Sequence, residues 1–227
     1  MNFLESLRDL LVTLPIVLIA LTFHEFAHGF AAYKLGDNTA KRMGRLTLNP
    51  IKHLDPLGAI CMLVAHFGWA KPVPIDIINF KNPKRDLAIS ALAGPLANMI
   101  IAFFGCFLYV LTIELLPTYE HEFSSQFTLT LAKLLIQFVF LFAWLNISLA
   151  LFNLLPIPPL DGSKILYAFL PPQASNWCKF RERQIALVFM LVIILDTRYL
   201  GGFLTGFLSA GVTGIFTLFT DLFKLMF

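Results

Sequence analysis

Five largely apolar runs lie along the chain, at roughly 10–33, 87–116, 129–155, 185–200 and 203–223, separated by polar or proline-rich stretches. An α-helix needs about 20 consecutive apolar residues to cross the hydrocarbon of a bilayer, so each run predicts a transmembrane helix. The fourth is short for a span, which predicts tilt or partial insertion. Residues 34–85 are polar and rich in Lys, Arg, Pro and Asn, and the third and fourth runs are joined by the turn NLLPIPPLDG and then PPQASNWCKFRER. Within this polar region the stretch 57–80 is apolar but broken by Gly68, Pro72 and Pro74, and it is too short to span. Read as a surface loop it would be unremarkable in chemistry. The preferred reading is a β-hairpin or re-entrant segment packed against the protein at membrane depth, where non-helical backbone must be shielded from lipid. The pattern predicts an all-α integral membrane protein: one polytopic domain over 1–227, a bundle of about five transmembrane helices and that short segment.

Composition agrees. Of 227 residues 58% are apolar and 14% charged, the mean hydropathy is +0.76, and 24 are Phe, more apolar surface than a water-soluble core of this size would bury. Cys61, Cys106 and Cys178 are widely spaced and form no CxxC pair, so they read as small apolar packing residues rather than a disulfide or thiolate metal site. The start MNFLESLRDL mixes charges of both signs and no small-residue cleavage site follows, so the first run is expected to stay as a span. No internal repeat is visible.

A net charge of +3 says little about partners, but the placement of charge orients the chain. Nine Lys or Arg fall in 34–85 (Lys34, Lys41, Arg42, Arg45, Lys52, Lys71, Lys81, Lys84 and Arg85) and four in 156–184 (Lys164, Lys179, Arg181 and Arg183), whereas 117–128 has none. Positive charge is retained on the cytoplasmic face, so the expected arrangement is a multi-pass protein of the cell's inner (plasma) membrane with an extracytoplasmic N-terminus and a cytoplasmic C-terminus.

The first run closes on His24-Glu25-Phe26-Ala27-His28. On a helix, residues i and i+4 share a face, so both imidazoles can meet one metal while Glu25 stands beside them to take a proton from water. HExxH is a short pattern, and two helix-end histidines bonded to carbonyls would be its ordinary alternative. Ionisable groups at membrane depth are costly, however, and by default functional. A catalytic zinc takes three protein ligands and keeps a position open, so a third is required. The candidates are His53, His66, His121, Asp55 and Asp161. His121 falls on the far side of the expected topology. Asp161 follows the third run in a turn stiffened by Pro156, Pro158 and Pro159 and bent at Gly162, at the depth of the HExxH, which makes it the best candidate. Its ordinary role would be to cap a helix at 163–170. Asn98 and Asn153, polar residues in apolar runs, are candidates to stabilise the oxyanion, or else to hydrogen-bond between helices. Gly94 is expected to permit close helix approach, and His66 is read as structural.

His24-Glu25-x-x-His28 and Asn153-x-x-Pro156-x-Pro158-x-x-Asp161-Gly162 closely resemble the two signatures of the site-2 protease family of intramembrane zinc metalloproteases. Gly94-Pro-Leu-Ala-Asn98 resembles the family's GxxxN element, and the segments from Asn49 to Pro56, with His53 and Asp55, and from Gly68 to Pro74 resemble its compact bacterial members. The resemblance spans 24–162. It implies one Zn2+ per chain held by His24, His28 and Asp161, Glu25 as general base, and a membrane-protein substrate helix partly unwound against an edge strand, a role that would fall to 57–80. It raises His53 above an ordinary surface histidine. The chain leaves no room for the inserted PDZ domain of larger members and shows no cystathionine-β-synthase-like domain, so regulation by either is not expected.

Three functions compete at this stage. The first is a zinc metalloendopeptidase acting in or near transmembrane segments, with lipid and substrate helix as partners and no nucleic acid. A metal transporter would need polar residues along a whole path, whereas here they cluster at one depth. A non-catalytic scaffold would have no use for Glu25.

Overall fold

The computed structural model describes residues 3–58, 70–116, 125–199 and 201–226. The described residues form helices α1 (Phe3–Lys34), α2 (Thr39–Arg42) and α3 (Pro50–His53), a 3-10 turn (Ile77–Asn79), then α4 (Pro83–Leu115), α5 (Gln126–Asn153), α6 (Asp161–Phe169), α7 (Pro172–Phe180), α8 (Glu182–Arg198) and α9 (Phe203–Lys224). Four of these helices are long and apolar enough to cross a membrane: Leu11–Lys34, Pro83–Leu115, Gln126–Asn153 and Phe203–Lys224.

Local chemistry explains where the helices begin. Pro83 starts α4 where its missing N–H is not needed, and Ser125 opens α5 in a capping box with Thr128. The spans therefore extend a few residues beyond the apolar runs at their polar ends, because a helix can carry Lys84, Arg85 and Asp86 in its first turn where hydropathy alone would end it.

α4 and α5 pack closely because small residues let their backbones approach: a Cβ on Gly105 would lie 3.2 Å from Ala143. Ala102, Cys106, Val110, Ala143 and Ile147 form the core there, and Val212 and Phe223 of α9 join it. Phe103 meets Phe223 and Phe219 with ring centroids 4.7 and 5.1 Å apart, tying α9 to α4. The opposite side of α4 presents Ile89, Leu92, Leu96, Ile100 and Phe104 outward, a stripe suited to lipid.

Two expectations are met only in part among the described residues. The run at 185–200 forms α8, whose 17 residues rise only about 25 Å at 1.5 Å each, short of the roughly 30 Å hydrocarbon. It ends where the carboxylate of Asp196 accepts from the Leu204 and Thr205 N–H groups at the start of α9, and Gly201 and Gly202, both at positive φ, make the turn between them. The hairpin or re-entrant segment at 57–80 lies partly outside the described residues, which omit 59–69. Among the described residues there is no sheet; one isolated antiparallel bridge joins Leu54 to Ala70, with the Lys71 N–H donating to the His53 carbonyl at 2.9 Å.

Candidate active site

Four residues apart on α1, His24 and His28 turn to the same side, their rings edge to face with centroids 4.5 Å apart. Asp161 meets them from the first turn of α6. Its Oδ2 lies 3.1 Å from His24 Nε2 and 3.0 Å from His28 Nε2, and the two Nε2 atoms are 3.0 Å apart. All three side chains are buried. Asp161 does not cap its helix; its other oxygen, Oδ1, accepts from Lys164 Nζ at 2.9 Å.

The backs of the imidazoles decide what their fronts present. His24 Nδ1 is 2.6 Å from Asn98 Oδ1, and His28 Nδ1 is 2.7 Å from the Ser90 carbonyl oxygen. Asn98 is held in that orientation because its Nδ2 donates to the Ala20 carbonyl and to Asn146 Oδ1, at 3.1 and 2.8 Å. Both partners of the histidines are acceptors, so each Nδ1 carries the proton and each Nε2 directs a lone pair inward. Two lone pairs and a carboxylate oxygen converging in a buried space repel one another unless a cation lies among them. The donor set, two imidazoles and one carboxylate, fits zinc with a coordination position left for water. Asp161 is buried, but its Oδ1 is paired with the Lys164 ammonium, which favours the carboxylate form.

Backbone shape admits this arrangement at two glycines. A Cβ at position 94 would sit 2.5 Å from His28 Cε1 and 2.8 Å from His24 Cε1 and would also meet His28 Nε2, so only glycine lets α4 pass against this edge of the rings. A Cβ at position 162 would reach the carbonyl carbon of Leu154 at 2.5 Å, which would push Asp161 off its turn.

Glu25 is half-buried, and its Oε2 accepts from the Val73 N–H at 2.7 Å. Asn153 donates from Nδ2 to the Leu149 carbonyl at 2.9 Å. His53 is buried away from the trio, with Nε2 2.8 Å from the Thr47 carbonyl, and Asp55 accepts from the Gly58 N–H. His66 and His121 lie outside the described residues. Three contributors were not among the residues expected from the sequence. Ser90 and Val73 act through backbone atoms, which no side chain announces. Asn146, fully buried in the middle of an apolar run, was visible by the same reasoning that singled out Asn98.

Such a centre, walled by helices that can cross a bilayer, defines a membrane-embedded metallopeptidase. The particular family follows from comparison: residues 12–196 match "Peptidase family M50", and the chain belongs to that family, the site-2 proteases. It is 41% identical over 222 residues to "Putative zinc metalloprotease YwhC" of Bacillus subtilis, covering 97% of this chain and 95% of that one. It is also 32% identical over 191 residues to "Putative zinc metalloprotease Rip2" of Mycobacterium tuberculosis, covering 82% of this chain and 67% of that protein. Its match to the protein of the same name from Mycolicibacterium smegmatis is 32% over 163 residues, 70% of this chain and 57% of the relative. No solved structure matches significantly. The protein is thus a multi-pass intramembrane zinc metalloprotease, and the transporter and scaffold readings are not favoured.

Proposed function

We propose that His24, His28 and Asp161 hold the single zinc of this peptidase, that Glu25 is its general base, and that the bond cut lies in or beside a transmembrane segment of another membrane protein. The observation that carries the reading is the convergence of two Nε2 atoms and one carboxylate oxygen, each oriented from behind. Bound there, zinc supplies a Lewis acid for the scissile carbonyl and lowers the pKa of a coordinated water to about 7. Glu25 takes the proton of the attacking water and delivers it to the leaving nitrogen. The Val73 N–H fixes Oε2 and leaves Oε1 to handle that proton, a division of labour that orients the base.

The two asparagines take different tasks. Both Nδ2 protons of Asn98 are donated, so its role is to position His24 rather than to meet an oxyanion. Asn153 uses one such proton and stands three residues before Pro156, which leaves its second proton as the oxyanion donor.

The substrate helix must be opened before its carbonyls can be attacked, and 57–80 is the segment proposed to offer it a strand edge. Support comes from Val73, whose N–H already lies against Glu25. Proline at Ile60, Met62 and Val64 should slow cleavage sharply while zinc content holds; wild-type turnover in all three would remove this role. The proposed topology is five spans, with the short α8 as the fourth, an extracytoplasmic N-terminus, and the site near the cytoplasmic face of the plasma membrane. Comparing the membrane proteome of cells with wild-type and Glu25→Gln protein tests the function: full-length membrane proteins should accumulate with the variant, and identical profiles would contradict it.

A further inference from the structure

Where α4 leaves the polar region, its first turn meets α6 and α7 around a small cavity of about 50 Å3, lined by Lys84, Lys164, Tyr167 and Lys179 among others. Tyr167 is 5% exposed, and its hydroxyl has no hydrogen-bond partner among the described residues. An unmet buried hydroxyl is costly and marks a place where an acceptor fits. Lys179 Nζ stands 5.6 Å from the centre of the Tyr167 ring. Beside this cavity, sharing Lys84 and Ala168 with it, an apolar groove of about 440 Å3 runs between α4 and α6, lined by Ala88, Ile89, Leu92, Ile165 and Phe169, with Arg85 at its mouth. The groove opens onto the outward stripe of Ile89, Leu92, Leu96 and Ile100.

We propose that these joined cavities bind one anionic phospholipid, with its phosphate between Lys84 and Lys179, the Tyr167 hydroxyl donating to it, and one acyl chain in the groove. The inference rests on the chain's membrane location and not on the assignment of its catalytic residues. Charge supports an anion. Arg85 is paired with Asp86 at 2.8 Å and Lys164 with Asp161 at 2.9 Å, while Lys84 and Lys179 form no ion pair among the described residues. Lys81 stands near Asp86 and Glu182 near Tyr167, so the cations Lys81, Lys84, Arg85, Lys164 and Lys179 outnumber the carboxylates Asp86, Asp161 and Glu182, a surplus that favours an anion. Position supports a lipid: cations and apolar groove succeed one another at the end of a spanning helix, in the order of headgroup and chain, and basic pockets between such helices suit anionic headgroups.

Native mass spectrometry of the purified full chain, mixed with phosphatidylglycerol or phosphatidylcholine of matched chains, tests this. Wild-type protein should retain phosphatidylglycerol at least about tenfold better. Replacing both exposed lysines (Lys84→Gln with Lys179→Gln) should weaken that retention about 25-fold, roughly fivefold for each charge. Filling the groove with Ala88→Trp, or making it polar with Ile89→Ser should the first misfold, should weaken lipid retention while leaving any binding of inorganic phosphate unchanged. Equal retention of the two lipids, no effect of the lysine pair, or inorganic phosphate binding as tightly as phosphatidylglycerol would overturn the proposal.

Discussion

Asn98 accepts a hydrogen bond from His24 and donates both of its Nδ2 protons, so replacing it by Ala removes the group that fixes the tautomer of a proposed metal ligand. Partners of this kind are worth about 10–100-fold in metal affinity, and Asn98→Ala should weaken zinc binding by that amount in competition with a chelator. An unchanged affinity would show that His24 needs no orientation from behind. Glu25→Gln keeps the shape but cannot accept a proton, so zinc content should hold while cleavage falls about 10²–10⁴-fold. Activity near wild type would remove Glu25 as the base. At this scale the sequence told most about ligands and least about their supports. HExxH and the DG turn are side-chain patterns with fixed spacing, whereas the Ser90 carbonyl and the Val73 N–H belong to backbone that any residue offers.

Among the elements, α4 is the one on which the site depends, because it passes Gly94 against both rings and supplies Asn98 one turn later. Gly94→Ala would push its Cβ into both imidazoles and should lower zinc content with little loss of helicity by circular dichroism; full zinc occupancy would contradict the contact. A second element-scale expectation concerns Asp37, which lies outside the spans. Burial would raise its carboxyl, but hydrogen bonds from Thr39, from the Asp76 N–H and from Asn79 hold it below the usual range. A depressed folded-state value stabilises the fold above the ordinary carboxylate pKa of about 3.9, and this is lost as pH falls through the lower folded value. Protection of the Thr39 and Asp76 amides relative to intrinsic exchange rates should therefore hold at neutral pH and fall only below about pH 4, and Asp37→Ala should lower that protection about tenfold at pH 7. Equal protection in both proteins would dissolve the network. The long spans were legible because about 20 apolar residues admit few other fates in a chain this hydrophobic. α8 was harder to place: its apolar residues are real, but hydropathy does not report that Asp196 closes the helix to cap the next one.

For the molecule as a whole, the proposed topology, drawn from the charge asymmetry, puts 34–85 and 117–128 on opposite sides of the membrane. In a variant whose three native cysteines are replaced, single cysteines at positions 38 and 121 should react with an impermeant reagent from opposite sides; labelling from one side would overturn the proposed topology. The proposed metal centre joins the beginning, middle and later parts of the chain, α1 through its histidines, α4 through Asn98 and Ser90, and α6 through Asp161, so it also reports whether the bundle is assembled as described. The most direct test is diffraction from zinc-loaded protein on either side of the zinc absorption edge. One anomalous peak per chain is expected, about 2.0–2.2 Å from His24 Nε2, His28 Nε2 and an Asp161 carboxylate oxygen. A peak elsewhere, or one that lacks any of these three ligands, would contradict the assignment.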